Sequence, residues 1–223
     1  MSYAGPSPLI VASLLGVVVG AVAGHLVNRV AGRYPWGSRK TAQAVRIPFL
    51  ELGTALLFAV TAVGFGASWE LPAFLFLAGV GVLLAVIDIR HKTLPNRVTL
   101  PAIGIGAVLL AVAAVGTGEW SPFLRATTSA VVLFVVFFVL VMISPRSIGM
   151  GDAKLAALLG LYLGWLGTSV LVLGIAAGFV VQAVLALILL ATRRIGLRGE
   201  LPFGPAMLLG AALVIGWSGA LLR

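Results

Sequence analysis

The chain has 223 residues, of which 61% are hydrophobic and only 9% are charged, and its mean hydropathy is +1.17. A soluble domain of this size cannot bury so much apolar surface, so the composition excludes a soluble protein and indicates a polytopic membrane protein. Cysteine is absent, which excludes disulfides, thiolate nucleophiles and cysteine-ligated zinc. The net charge of +9 does not indicate nucleic-acid binding, because the basic residues lie in short loops between apolar runs.

The apolar runs predict an all-α fold with about eight transmembrane helices. Residues 1–8 lack the positive n-region of a cleaved signal peptide, so we expect the first span to be retained. The sixth run is too short to cross about 30 Å of hydrocarbon comfortably, so we expect it to tilt or to begin in a protein-lined cavity. The predicted spans are Pro8–Val27, Phe49–Gly66, Leu71–Ile87, Val98–Gly116, Ala126–Ile143, Lys154–Leu166, Thr168–Ala191 and Gly204–Leu222.

The basic residues predict the orientation of these spans. All but two of the 15 Lys and Arg residues fall on one side of the membrane, the exceptions being Arg125 and Arg223. Cytoplasmic loops carry an excess of Lys and Arg, so the basic side is predicted to be cytoplasmic and both termini to lie outside. The cytoplasmic loops are then 28–48, 88–97 and 144–154, and the segment after the seventh span, with Arg193, Arg194 and Arg198, lies on the same side. No linker or internal repeat divides the chain, so we expect a single domain over residues 1–223.

Glycines recur every four residues in two of the predicted spans. Gly16, Gly20 and Gly24 lie in the first span, and Gly160 and Gly164 lie in the sixth. Small residues at this spacing allow the backbones of two helices to approach closely. We therefore expect these glycines to pack helices together rather than to bind a ligand.

Two aspartates, Asp88 and Asp152, lie where an apolar run meets a basic loop. The predicted topology puts both at the cytoplasmic membrane surface and at similar depth, although 64 positions separate them. An ionisable group is costly at such a boundary, which suggests function. Two carboxyls that meet there would share a proton and form an acid–base pair. The structural alternatives are that Asp152 is a helix N-cap and that Asp88 pairs with Arg90 or Lys92.

The segments around the aspartates extend this pattern. Leu94-Pro95-Asn96 follows Asp88, and Pro95 predicts the end of a helix. Gly149 and Gly151 precede Asp152, and two glycines around one residue allow positive φ and close approach of another chain. Lys154 follows, either as part of this motif or as an interfacial anchor.

Together these segments resemble the type IV prepilin peptidases, which are integral-membrane aspartic proteases of the GxGD type. Two further stretches fit. Arg46-Ile-Pro-Phe-Leu-Glu-Leu-Gly-Thr-Ala-Leu-Leu-Phe58 resembles the family's R-Y-P-x-V-E-x-x-T-A-L-L-F segment, and Leu201-Pro-Phe-Gly-Pro205 resembles its P-F-G-P motif. The resemblance runs from about residue 13 to the C-terminus.

This resemblance implies that Asp88 and Asp152 are the catalytic pair of an aspartic endopeptidase. The residues that it implies as supporting the motifs are Gly149, Gly151, Lys154, Leu94, Pro95 and Asn96. It implies a bacterial inner-membrane protein whose active site faces the cytoplasm. The implied partners are membrane lipid and the N-terminal leader and apolar helix of prepilin or pseudopilin precursors, with no nucleic acid.

One departure from the family bears on its second activity. Many members carry two Cys-x-x-Cys pairs in the first cytoplasmic loop and also methylate the new N-terminus with S-adenosylmethionine, whereas this chain has no cysteine. The peptidase reaction needs no metal or cofactor, so the resemblance still implies it, while methyltransferase activity stays open. Glu51 matches a family position, so one interpretation is that it binds the substrate or the methyl donor. The structural alternative is that it is an acidic residue that stabilises the start of a helix. His25 and His91 lack a third ligand nearby, so we predict no metal site.

Within the pair, the start of a helix favours charge on Asp152, so we assign Asp152 as base and Asp88 as acid. Two other functions remain as alternatives. One is a GxGD protease of the signal-peptide-peptidase kind, which cleaves ordinary transmembrane helices. The other is a proton-coupled transporter, for which carboxylates near the bilayer midplane would be expected.

Overall fold

The computed structural model describes residues 8–36, 44–45, 48–144, 149–192 and 201–221. Every regular element in these ranges is an α-helix, which confirms the predicted all-α fold. The elements are α1 Pro8–Gly32, α2 Phe49–Phe65, α3 Leu71–His91, α4 Asn96–Thr117, α5 Ser121–Ile143, α6 Met150–Leu166, α7 Thr168–Ala191 and α8 Gly204–Leu221. The termini and parts of the predicted loops 28–48 and 144–154 lie outside the described residues.

Five of these helices are long and apolar enough to cross a membrane. They include most of α1 together with α3, α4, α5 and α7, whereas α2 and α8 are shorter apolar helices. Many of their large apolar side chains are exposed, among them Leu14, Val18, Val131, Val172 and Leu187. Exposed apolar surface of this extent is stable next to lipid rather than water. The chain is therefore a multi-pass membrane protein, and the count of eight spans stays a prediction.

The chain forms two compact units, residues 1–83 and 84–223, with α3 passing from one to the other. The first unit contains α1, α2 and the start of α3. A Cβ atom built on Gly20 would lie 2.7 Å from Ala55 Cα, and one on Gly16 would lie 3.0 Å from Ala59 Cα. These distances leave no room for a side chain. The predicted role of the first glycine series in helix packing is thus confirmed.

The second unit is built around α6. The residues from Leu155 to Trp165 are all buried, and the helix packs against α4, α5, α7 and α8. The second glycine series again permits the contact, since a Cβ on Gly160 would lie 2.7 Å from the Ser129 carbonyl oxygen of α5. With 17 residues, α6 is about 25 Å long. Protein surrounds most of this short helix, while the predicted tilt or start in a protein-lined cavity stays a prediction.

Several helices extend beyond the predicted spans: α1 continues to Gly32, α5 begins at Ser121 and α6 begins at Met150. The extension that bears most on the site is at the end of α3. The third span was expected to end at Ile87, but α3 continues to His91, and the Lys92 N–H donates a hydrogen bond to the Asp88 carbonyl at 2.7 Å. The helix stops at Lys92, whose φ of 51° is left-handed. Asp88 therefore lies inside the last turn of α3 rather than beyond the helix.

Candidate active site

Asp88 is buried, with only 4% of its surface exposed. Its Oδ2 accepts a hydrogen bond from the Gly204 backbone N–H at 3.1 Å. Gly204 is the first residue of α8, where backbone N–H groups have no partner within the helix and the dipole favours a negative group. Among the described residues Asp88 forms no ion pair with Arg90 or Lys92. The expectation that Asp88 is a surface anchor paired to these residues is therefore wrong.

Asp152 lies in the first turn of α6 and is partly exposed. Its Oδ2 accepts a hydrogen bond from the Gly149 N–H at 2.9 Å. Gly149 itself occupies the N-cap position, so Asp152 is not the N-cap but the third residue of the helix. From this position its carboxylate accepts a hydrogen bond from the N-cap N–H, which has no partner within the helix.

The fold brings Asp88 close to the first turns of α6. A Cβ atom built on Gly204 would lie 2.7 Å from Asp88 Oδ2 and 3.4 Å from Leu155 Cδ2. Leu155 follows Asp152 by almost one turn of α6, so Asp88 and the start of α6 meet at Gly204. The two aspartates that the sequence singled out thus lie in the second unit, with Asp88 beside the helix that carries Asp152.

The remaining motif residues connect the segment after α3 to the start of α6. The Lys154 Nζ donates a hydrogen bond to Asn96 Oδ1 at 2.7 Å. A Cβ on Gly151 would lie 2.8 Å from Leu94 Cβ, so glycine lets the Leu94 side chain pack on this turn. Pro95 precedes α4 and its carbonyl accepts the Thr99 N–H at 3.0 Å. Lys154 is thus a partner of Asn96 and not only an interfacial anchor.

Gly204 is a site residue whose contribution the sequence did not predict. The stretch Leu201–Pro205 was noted for its resemblance, without a role. The sequence feature that could have indicated this role is the position of Gly204 between Pro202 and Pro205, at the start of an apolar run. Its neighbour Phe203 packs with Phe179 and Phe137 at ring-centroid distances of 5.1 and 6.3 Å. This aromatic contact fixes the backbone that presents the Gly204 N–H to Asp88.

Glu51 lies in the first unit, in the first turn of α2. Its Oε1 accepts a hydrogen bond from Asn28 Nδ2 at 3.1 Å, and His25 Nδ1 is 3.7 Å from the same oxygen. His91, at the end of α3, is exposed. In the ranges that the structure describes, no three His, Cys, Asp or Glu side chains are grouped as metal ligands. Arg46, which opens the motif containing Glu51, lies outside those ranges.

Comparison with known proteins identifies the family to which the chain belongs. The model of the type IV leader peptidase family matches residues 75–192, a range that contains Asp88, Leu94, Asn96 and Asp152. It covers just over half of the chain. No solved structure matches the chain at a significant level.

Curated relatives bear the name prepilin leader peptidase/N-methyltransferase. That of Stutzerimonas stutzeri is 29% identical over 196 residues, which is 86% of this chain and 65% of the relative. That of Pseudomonas putida is 32% identical over 78% of this chain and 59% of the relative. That of Pseudomonas aeruginosa is 30% identical over 89% of this chain and 67% of the relative.

The chain therefore spans about two thirds of the length of the curated relatives it matches. Both the family model and the relatives cover the turn that carries Asp152 and the end of α3 that carries Asp88. Over the region that builds the site, this chain belongs to the type IV leader peptidase family.

Proposed function

We propose that this protein is an aspartic endopeptidase that cleaves the leader peptide of type IV prepilin or pseudopilin precursors. The observation that carries the proposal is the position of Asp88 at Gly204, beside Leu155 of the helix whose first turn carries Asp152, in a member of the type IV leader peptidase family. Such a pair hydrolyses a peptide bond without a metal or a cofactor. The names of the curated relatives support the same substrate class.

In this mechanism the two carboxyls share one proton, because two negative charges so close together are costly. The ionised Asp152 takes a proton from water, and the hydroxyl oxygen attacks the carbonyl carbon of the scissile bond. Asp88 donates its proton to the carbonyl oxygen. When the tetrahedral intermediate collapses, the C–N bond breaks, Asp152 gives its proton to the leaving amine, and one hydroxyl of the intermediate returns its proton to Asp88.

The surroundings of the two aspartates support this division of roles. Asp88 is the more deeply buried residue, and a neutral carboxylic acid costs less to bury than a carboxylate. The Gly204 N–H occupies Asp88 Oδ2, so the proton is assigned to Oδ1, which faces the substrate in this scheme. Both carboxyls lie at the start of a helix, Asp88 at α8 and Asp152 at α6, so it is the greater exposure of Asp152 that favours charge on Asp152.

The proposed membrane arrangement has eight spans with both termini outside and the aspartates at the cytoplasmic face of the inner membrane. Arg125 supports this sidedness. Its guanidinium donates hydrogen bonds to the Gly164 and Trp165 carbonyls at 2.8 and 2.7 Å, at the end of α6 opposite to Asp152. A basic residue predicted on the outer side is thus one helix length away from the catalytic pair.

This arrangement suits a substrate whose apolar helix lies in the bilayer while a short leader remains in the cytoplasm. The partners in the proposal are accordingly the leader and apolar helix of the precursor, with lipid around them. Methylation of the new N-terminus follows cleavage in the same proposal, with S-adenosylmethionine supplying the methyl group. Glu51 is the residue of this chain that fits the donor, because a carboxylate complements its positive charge.

The test is co-expression with a candidate prepilin, followed by a gel-mobility measurement of processing. Wild type is expected to shorten the precursor, whereas Asp88→Asn and Asp152→Asn are expected to leave it intact at normal membrane levels. Full processing by either variant would contradict the proposal. A signal-peptide remnant serves as the second substrate, since its cleavage in place of the prepilin would favour the signal-peptide-peptidase alternative. Proton uptake by reconstituted protein without proteolysis would favour a transporter.

A further inference from the structure

A second polar cluster lies in the first unit, where α1 and α2 pack together. A Cβ atom on Gly24 would lie 2.9 Å from Glu51 Cα, so the two helices are in backbone contact beside the Glu51 carboxylate. Asn28 donates to Glu51 Oε1 at 3.1 Å, and His25 Nδ1 lies 3.7 Å from that atom. The cluster is made of three side chains within one unit and shares no residue with the catalytic pair.

Asn28 holds Glu51 in a fixed position. Its side chain is almost completely buried, at 1% exposure. Its Oδ1 accepts the Val45 N–H and its Nδ2 donates to the Val45 carbonyl, both at 2.9 Å, while Nδ2 also donates to Glu51. A flip of the Asn28 side-chain amide would exchange its oxygen and nitrogen, so all three hydrogen bonds would be lost. Asn28 therefore ties the segment before α2 to α1 and orients the Glu51 carboxylate between them.

The second carboxylate oxygen has a different environment. Glu51 Oε2 is shielded from solvent and has no hydrogen-bond partner among the described residues. The Glu51 side chain is 13% exposed and that of His25 is 41% exposed, so His25 is the more solvent-accessible member of the cluster. A buried carboxylate oxygen without a partner is costly, and a cation with N–H donors would remove that cost.

We propose that Glu51 binds an organic ammonium group through Oε2, with Asn28 orienting the carboxylate and His25 at the entrance. This inference rests on the proposed function, which supplies two sources for such a group. One is the α-ammonium of S-adenosylmethionine, and the other is a lysine in the substrate leader. An organic cation is favoured over a metal ion because no third ligand is grouped with His25 and Glu51 in the described ranges.

The experiment compares wild type, Glu51→Gln and the control Glu119→Gln, purified in detergent. Glu119 undergoes the same chemical change at an exposed position. In one arm, titration calorimetry measures the Kd of S-adenosylmethionine. In the other, KM is measured for two leader peptides that differ only in having lysine or glutamine in the leader.

Glu51→Gln removes the charge at nearly constant shape, so it is expected to weaken one of the two interactions by about tenfold or more. A raised Kd identifies the methyl donor as the ligand. A KM raised for the lysine peptide alone identifies the leader. Glu119→Gln is expected to match wild type in both arms.

The proposal is overturned if Glu51→Gln matches wild type in both arms. Wild type alone provides a second test if that variant is unstable. Wild type must show either a KM about tenfold lower for the lysine leader than for the glutamine leader, or a Kd about tenfold lower for S-adenosylmethionine than for its N-acetylated form. Equal values in both comparisons would also overturn the proposal. Failure of the peptidase proposal is seen separately, as absent cleavage by wild type, whereas the calorimetric arm does not depend on cleavage.

Discussion

The backbone of Gly204 lies against the Asp88 carboxylate and donates a hydrogen bond to it. A Cβ atom at this position would lie 2.7 Å from Asp88 Oδ2, which is too short for a non-bonded contact. In Gly204→Ala the carboxyl must move away and its hydrogen bond from the backbone N–H is weakened. Because a displacement of about 1 Å costs roughly a hundredfold in rate, we expect kcat for leader cleavage to fall by about that factor.

The matched control for this change is Gly216→Ala in the same helix. A Cβ on Gly216 would meet no atom within 4 Å, so normal cleavage is expected. Both variants should reach the membrane in wild-type amounts, because neither removes an apolar contact. Unchanged kcat in Gly204→Ala would show that the Gly204 N–H does not position Asp88.

The pH dependence of cleavage follows from the proton shared by Asp88 and Asp152. At low pH both carboxyls are protonated and no base remains, whereas at high pH both are ionised and no acid remains. We therefore expect kcat/KM to pass through a maximum and fall on both sides. The measurement is the initial rate of leader cleavage across the range in which the protein stays folded. A rate that is flat across that range would contradict the shared-proton scheme.

The sequence predicted the side chains of this site better than its backbone donors. Asp88, Asp152, Asn96 and Lys154 have functional groups whose presence at a membrane boundary is informative, and the structure brings them together. Gly204 has no functional group, and its N–H reaches Asp88 across 116 positions of the chain. Nothing in a residue's own chemistry predicts which distant carboxylate its backbone meets, so its role became visible only in three dimensions.

At the level of helices, Arg125 determines how the C-terminal end of α6 is held. Its two hydrogen bonds to the Gly164 and Trp165 carbonyls satisfy acceptors that the end of a helix leaves free. Arg125→Met keeps much of the apolar stem but removes both bonds. We expect the free energy of unfolding to fall by about 2 kcal/mol, measured by unfolding in detergent.

The control for this variant is Arg97→Met, because Arg97 is exposed and among the described residues has no hydrogen bond to a helix end. Its stability is expected to stay close to that of wild type. Equal stability of Arg125→Met and wild type would show that α6 is held by its packing alone. A loss in Arg97→Met as large as that in Arg125→Met would instead attribute the effect to removal of charge.

Helix positions followed from the apolar runs, but several helix ends did not, and the end of α3 is the one that bears most on the site. The predicted third span stops where the apolar residues stop, at Ile87, whereas the backbone hydrogen bonds of α3 continue to Lys92. Helical hydrogen bonding does not require apolar side chains, so a hydropathy boundary marks where lipid contact ends rather than where the helix ends. The difference matters here because it puts Asp88 on a rigid turn instead of in a loop.

For the whole molecule, the long continuous apolar runs were sufficient to predict a multi-pass helical protein, because runs of about 20 apolar residues match transmembrane helices, which pair their backbone groups within the segment. The division into residues 1–83 and 84–223 was not predicted. It falls within the apolar part of α3, where neither composition nor a turn signal marks a boundary. Contacts between distant segments define such units, and these are not readable from local sequence.

The proposed orientation of the whole chain can be tested because the chain contains no cysteine, so each introduced thiol is unique. Arg97 and Glu119 are exposed and lie at opposite ends of α4. In intact cells made permeable only at the outer membrane, an impermeant maleimide is expected to label Glu119→Cys and not Arg97→Cys. Arg97→Cys should become labelled once the inner membrane is opened.

The opposite labelling pattern would put the loop between α3 and α4 outside, together with Asp88 on the turn before it. A leader held in the cytoplasm could then not reach the pair, and the substrate assignment would fail even if both aspartates were essential. Labelling of both positions in intact cells would mean that α4 does not cross the membrane. Only protection of Arg97→Cys with exposure of Glu119→Cys is compatible with cleavage at the cytoplasmic face.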